Sequence, residues 1–160
     1  MSSESRSFYR LIWLMPASFA AHILEEWFGG FPAWVGQAVG GSMSGQAFIE
    51  NNAFFLATLL ILTGFAGYSR SRWTAFVLIG WASANLFWDF LFHLFATAWW
   101  GLYSPGLVTA TLLYFPVSWL VARAALAEGV LPKGEFAGAC ALGAALMAFI
   151  IWAGLYHFAA

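Results

Sequence analysis

Five apolar runs, each close to the ~20 residues that a helix needs to cross hydrocarbon, leave this chain few folds to choose from. They fall at about residues 8–28, 47–68, 73–97, 107–126 and 136–158 of a 160-residue sequence. Little chain lies outside them. A single all-α domain, an integral membrane bundle of five transmembrane helices, is the architecture the pattern predicts. Composition agrees: 62% of the residues are hydrophobic and 8% are charged, where an average soluble domain carries about 25% charged residues. A net charge of −1 gives nucleic acid no electrostatic foothold. Cys140 is the one cysteine, so no disulfide framework and no thiolate metal site can form, and the residue reads as a small core hydrophobe.

The first run has Arg6 and Arg10 ahead of it and the small-x-small triplet Ser18-Phe19-Ala20 near its end, as signal peptides do. Cleavage there would remove most of a helix and leave His22 to Glu26 at a free terminus. The run is therefore expected to be retained as the first span. All six basic residues flank alternate helix ends: Arg6 and Arg10, then Arg70 and Arg72, then Arg123 and Lys133. The connections at 29–46 and 98–104 have none. An excess of Lys and Arg marks cytoplasmic loops, which predicts a cytoplasmic N-terminus and an external C-terminus. Trp27, Trp34, Trp99 and Trp100 then fall at the outer interface, where indoles favour the headgroup layer.

That orientation gathers the polar residues. Helix one runs outward and carries His22, Glu25 and Glu26 near its outer end. Helix two runs inward, with Glu50, Asn51 and Asn52 in its first turns. Helix three brings Asn85, Asp89 and His93 toward the same side, helix four begins there with Tyr103, Ser104, Pro105 and Gly106 before Thr109 and Thr111, and His157 ends helix five there too. Every histidine and every intramembrane carboxylate thus lies in the outer half. Ionisable groups at membrane depth are expensive and default to a functional reading. His22, Glu25 and Glu26 stand at i, i+3 and i+4 and share a helix face. Asn85, Asp89 and His93 are spaced by fours and make a stripe that drifts about 40° per step. Ser104-Pro105 reads as N-cap and first-turn proline, with Gly106 allowing close backbone approach. The glycine-rich connection 29–46 reads as a flexible link or, alternatively, as a lid lying on the membrane surface.

Taken together, His22-Ile23-Leu24-Glu25-Glu26, Glu50-Asn51-Asn52, the Asn85/Asp89/His93 stripe and Tyr103-Ser104-Pro105-Gly106 resemble the HXXEE domain proteins. These are small, mostly bacterial, multi-span membrane proteins named for the motif. The resemblance covers nearly the whole chain and implies a bacterial protein, which with the orientation read from the basic residues predicts an inner-membrane location with the polar site in the outer half. It brings no reaction with it.

Four carboxylates in one apolar region cannot all stay ionised without compensation, and no Lys or Arg lies on that side to supply it. One or two divalent metal ions, zinc or iron, would balance them. The candidate ligands are His22, Glu25, Glu26, Glu50, Asp89 and His93. Mixed Glu/Asp/His ligation is known inside helical bundles, and the same set suits a zinc ion with one open position. Three functions are compatible with these residues. First is a membrane-embedded metalloenzyme, hydrolytic or di-metal, acting on a lipid or other hydrophobic small molecule from the outer leaflet. Catalysis would fall to Glu25, Glu26, His22 and Asp89, and substrate binding to Asn51, Asn52, Asn85, Tyr103, Ser104 and Thr109. Second is a metal-free acid–base isomerase or cyclase of an isoprenoid- or sterol-like substrate, with aromatic rings facing a developing carbocation. Third is cation or proton transport, disfavoured because helices four and five offer no polar relay inward. Small-x3-small spacings at Gly134/Gly138, Ala139/Gly143 and Ala144/Ala148 leave room for a homo-oligomer, or for close packing inside the bundle.

Overall fold

The computed structural model describes residues 7–156, and Arg6 and His157 lie outside that range. All regular structure among the described residues is helical. We label it α1 (Phe8–Leu11), α2 (Leu14–Phe28), α3 (Phe31–Trp34, continued by a π turn over Val35–Val39) and α4 (Gly45–Ser69), followed by three further long helices. These are α5 (Arg72–Trp100), α6 (Leu107–Ala127) and α7 (Lys133–Tyr156). Four helices, α4 to α7, are long and apolar enough to cross a membrane, by length and composition.

The first run is not one clean span. Pro16 has no N–H to give to the carbonyl of Ile12, and its ring crowds that carbonyl. Ile12 instead accepts from Met15 at 3.2 Å, a tight i→i+3 turn. This turn separates α1 from α2, and α2 alone, at 15 residues, spans only about 22 Å.

Local signals explain the other ends. Ser44 caps α4 by accepting from the Ala47 N–H at 3.0 Å. α4 stops where Arg70 turns left-handed at φ +47°, and Ser71 caps α5 by accepting from the Thr74 N–H at 3.2 Å. With only residues 70 and 71 between them, α4 and α5 pack as antiparallel neighbours. On the same side, the Glu128 carboxylate accepts from the Ser7 and Phe8 N–H groups, at 2.9 and 3.2 Å, and ties the start of α1 to the α6–α7 connection. Arg72 pairs with Glu135 in a bidentate bridge between the starts of α5 and α7.

α5 is the centre of the bundle. It packs along α4 on one side and α7 on the other, while α4 and α7 barely touch each other among the described residues. Close approach of α7 depends on small residues. A Cβ at Gly143 would fall 1.9 Å from Ser83 Oγ, so this glycine and the buried Ala139 are used inside the bundle. Two π turns break the long helices, Ser83–Trp88 in α5 and Ala110–Tyr114 in α6. Each adds a residue to one helical turn and re-aims the side chains beyond it, a device common at functional sites.

The 29–46 connection is ordered rather than a loose link. Phe31, Trp34 and Val35 are buried against Phe48 and Leu155. Ser42 N–H donates to the Leu155 carbonyl at 2.9 Å and Tyr156 OH to the Val39 carbonyl at 3.0 Å, fastening the segment over the end of α7. Trp34 is therefore a packing residue, whereas Trp27, Trp99 and Trp100 stay exposed. Cys140 is half-buried and unpaired.

Candidate functional site

On α2, His22 and Glu26 are one turn apart and both turn into the bundle, with 1% and 6% of their surface exposed. Glu25 lies about 100° further round the helix and meets a different neighbour, the start of α6. On α5, Asp89 and His93 form a second i, i+4 pair immediately after the π turn. The two pairs converge. The His22 and His93 rings meet edge to face with centroids 4.9 Å apart. Gly106, which precedes α6, closes on both. A Cβ there would sit 2.6 Å from His22 Cε1 and 2.7 Å from His93 Cε1, and φ is +106°. Conformation and space both demand glycine at this position.

Glu25 is the anion that caps α6. Its Oε1 accepts from the Gly106 and Val108 N–H groups at 3.2 and 3.1 Å, and from the Tyr103 hydroxyl. Its Oε2 accepts from Thr109 N–H at 2.6 Å and Thr109 Oγ1–H at 2.5 Å. Helix starts leave N–H groups unpaired and positively polarised, which suits a carboxylate. Gly106, the N-cap residue, has no side chain to do this. Ser104-Pro105 therefore does not start the helix: α6 begins at Leu107, and the cap comes from another helix. Burial, then the hydrogen bond to Glu25, pushes the Tyr103 hydroxyl up to about 12, so it remains a donor at neutral pH.

This cap fixes a proton. A carboxylate can only accept, so the Thr109 hydroxyl donates to Glu25 and offers its oxygen as an acceptor. His22 Nδ1, 2.9 Å away, must then carry the proton that it shares with Thr109. In a neutral imidazole, that leaves the lone pair on Nε2, facing the bundle interior. The His93 ring is also held through Nδ1, 2.8 Å from Ser104 Oγ, a hydroxyl that can donate or accept. Both rings are thus anchored by a hydroxyl on one nitrogen and free on the other. Metal-binding histidines are normally oriented by such a second hydrogen bond.

The free nitrogens face carboxylates without bonding to them. His22 Nε2 lies 3.2 Å from Asp89 Oδ2 and 3.6 Å from Glu26 Oε1; His93 Nε2 lies 3.6 and 3.5 Å from the same two oxygens. None of these four contacts has hydrogen-bond geometry, so both nitrogens have carboxylate neighbours but no hydrogen-bond partner. Donor atoms of His22, Asp89 and His93 all fall within 4.8 Å of one another. Ligand atoms about 2.1 Å from one tetrahedral zinc ion stand roughly 3.4 Å apart. The two histidine–Asp89 separations, 3.2 and 3.6 Å, lie either side of that value, so His22, Asp89 and His93 could hold a metal ion. Glu26 belongs to the same cluster through its contacts with both imidazoles but falls outside that mutually close set of three.

A cavity of about 100 Å³ opens from this cluster. His22, Glu26 and Asp89 stand at its polar end, with Asn51, Asn52 and Asn85 along the wall. Asn52 and Asn85 each donate from Nδ2 to a carbonyl one turn back, Phe48 and Trp81, at 3.0 and 2.8 Å, which leaves Oδ1 as an acceptor. The remaining wall is apolar and comes mainly from α4 and α7, with Phe31 and Met43 from the 29–46 connection. The cavity thus fills the gap between the two helices that scarcely touch.

Of the residues singled out from the sequence, His22, Glu26, Asp89 and His93 come together, and the three asparagines line the adjoining cavity. Glu25, Tyr103, Ser104 and Thr109 stand behind them: Tyr103 and Thr109 bond Glu25, and Thr109 and Ser104 hold the imidazoles. Glu50 does not join. It is exposed and accepts from Gln46 Nε2 at 2.8 Å. Tyr114 was not legible as a site residue. It is fully buried with its ring centroid 4.4 Å from that of His22, and the only signal was a tyrosine where an apolar run would accept phenylalanine.

A family model described as "Protein of unknown function with HXXEE motif" matches residues 13–121, about two thirds of the chain, and the chain belongs to this family. The match takes in His22, Glu25, Glu26, Asp89, His93, Gly106, Thr109 and Tyr114. No curated protein and no solved structure matches the chain.

The two motif carboxylates have opposite effects on stability in this geometry. Glu25→Ala leaves the start of α6 uncapped and should cost about 2 kcal/mol or more, since hydrogen bonds to a charged group contribute about 1.5–3 kcal/mol. Glu26→Gln, measured without metal, should leave the melting temperature unchanged or raised, because an unbonded buried carboxylate is removed. Thermal unfolding in detergent reads both. Equal destabilisation of the two variants would contradict the division of roles.

Proposed function

We propose that this member of the HXXEE family is a membrane-embedded, metal-dependent enzyme of hydrolytic type, acting on a lipid or other hydrophobic small molecule. One observation carries the reading. Two buried imidazole nitrogens lack any hydrogen-bond partner, while the opposite nitrogen of each ring is held by a hydroxyl. Buried polar atoms are rarely left unpaired without a reason, and a cation between these nitrogens and Asp89 supplies one. His22, Asp89 and His93 are the proposed ligands for a single zinc or iron ion. Three protein ligands with an open position is the usual pattern of a catalytic rather than a structural zinc site. Glu50 is too exposed to serve a second ion.

A divalent cation held by His22, Asp89 and His93 would supply Lewis acidity and lower the pKa of a bound water. The protein's own share is positional. Glu26, 3.6 Å from His22 Nε2 and 3.5 Å from His93 Nε2, is placed to take a proton from a water in the cavity. Asp89 neutralises charge beside it. Asn51, Asn52 and Asn85 offer amides to the polar end of a substrate, and the phenylalanine and isoleucine wall takes the apolar part. Entry is through the gap between α4 and α7, which faces lipid in a membrane-embedded bundle.

A specific contact favours a second reading. His22 Nε2 and Asp89 Oδ2, at 3.2 Å, are close enough to exchange a proton after a small rotation of the ring. Two imidazolium ions beside two carboxylates would also be electrically neutral, and would support metal-free acid–base chemistry.

Within this proposal α1 and α2 together make the fifth crossing. The N-terminus is cytoplasmic, and the site lies in the outer half of a bacterial inner membrane. A cysteine placed at Ser71 should resist membrane-impermeant thiol reagents in intact cells; labelling from outside would reverse the orientation.

The metal is tested on protein purified without chelator. Elemental analysis should find about one zinc or iron per chain in the wild type and in Glu26→Gln. His22→Gln and His93→Gln should each lower metal affinity at least tenfold, and Asp89→Asn similarly. A wild type that binds no divalent ion, while retaining its fold, favours the acid–base reading.

A further inference from the structure

Tyr114 has no place in the sites described so far, yet it is the bulkiest of the fully buried side chains. It sits at the end of the π turn in α6. Its ring stacks on Phe19 at 6.4 Å and tilts over His22 at 4.4 Å, with 32° between the latter planes. Its hydroxyl is buried and has no hydrogen-bond partner. His22, the ring it lies over, faces Asp89 and Glu26 through Nε2. The buried atoms without a hydrogen-bond partner include His22 Nε2, His93 Nε2 and Tyr114 OH, and the His22 ring touches the rings of both other residues. Of the remaining ones, on Trp34, Thr63 and Trp81, the two indoles make their ring contacts with phenylalanines and not with the histidines.

We propose that Tyr114 is a catalytic residue of the same site: its hydroxyl donates a hydrogen bond to an oxygen atom of the molecule bound beside His22, Asp89 and His93. The inference rests on the metal-dependent reading above. The reasoning is chemical. A phenol is both donor and acceptor, and the charged groups that His22 faces are carboxylates, so a donor is the useful half of the hydroxyl beside this cluster. A buried hydroxyl that pairs with nothing is costly, and phenylalanine would fill the same space without that cost. A tyrosine is explained if its partner arrives with the ligand. A fixed donor aimed at an oxygen that gains negative charge strengthens as the charge develops, which is the action of an oxyanion-stabilising group. Its position fits this role. The ring packs on both Phe19 and His22, which fixes its plane.

The test uses the full-length protein in detergent, loaded with cobalt(II), whose visible absorption reports its ligands, and titrated with acetohydroxamate as an oxyanion probe. Three outcomes are separable. The proposal expects Tyr114→Phe to bind cobalt(II) within about twofold of the wild type, but to bind acetohydroxamate about tenfold or more weakly, the usual scale for a hydrogen bond to a charged group. It also expects the metal-free variant to melt no lower than the wild type, since the lost hydroxyl pairs with nothing there; a structural role would lower the melting temperature and leave the probe unaffected. Equal acetohydroxamate affinity in two cobalt-loaded proteins overturns the assignment of Tyr114 while leaving the metal site standing. Failure of the wild type to take up cobalt(II) removes the metal reading, and this inference with it.

Discussion

The bond between the Glu25 carboxylate and the start of α6 is the interaction on which the rest of the site depends. It brings the first turn of α6 against α2, and that contact delivers three things together. Gly106 arrives where only a glycine fits against both imidazoles. Thr109 arrives at 2.9 Å from His22 Nδ1 with its proton already committed to Glu25. Tyr114, one π turn further on, arrives over the His22 ring. In an apolar setting such a cap is worth more than at a protein surface, because uncapped N–H groups there find no water. Glu25 therefore governs the chemistry of His22 without touching the cluster that His22 faces.

This arrangement resolves the electrostatic problem that the composition poses. The acidic residues in the apolar runs do not share one fate. Glu50 reaches the exterior, Glu25 is satisfied by five donor groups, and only Glu26 and Asp89 remain with unmet demand. Facing these two carboxylates are the unpaired nitrogens of two histidines. Two carboxylates and two imidazole nitrogens without hydrogen bonds would be matched by one divalent cation. The geometry of α5 contributes as well. Its π turn at Ser83–Trp88 shifts the register between Asn85 and Asp89, so the asparagine can line the cavity wall while Asp89 and His93 meet α2.

Much of this was legible in the sequence, and the reasons are specific. The four longest helices follow from apolar run length, and the meeting of His22, Glu26, Asp89 and His93 follows from i, i+4 spacing plus the alternation of helix direction. Helix periodicity could not separate Glu25 from Glu26. The two differ by about 100° in direction, and what each meets is decided by where α6 packs. The break between α1 and α2 was carried by Pro16 and was hidden by the continuous hydrophobicity around it. The connection at 29–46 looked loose because six glycines mask Phe31, Trp34 and Val35, which pack against Phe48 and Leu155. Tyr114 was invisible for a different reason. A single aromatic in an apolar run has no periodic signal, and its importance lies in a hydroxyl that pairs with nothing.

The central claim is that the unpaired nitrogens of His22 and His93 serve a metal ion. X-ray absorption at the metal edge, on zinc- or iron-loaded protein, addresses it directly, because imidazole rings give outer-shell scattering that carboxylates and water do not. The account predicts a first shell of nitrogen and oxygen only, with two imidazoles per metal in the wild type and one in His93→Gln. A shell without imidazole scattering, or one unchanged by loss of His93, would place the metal elsewhere and contradict it.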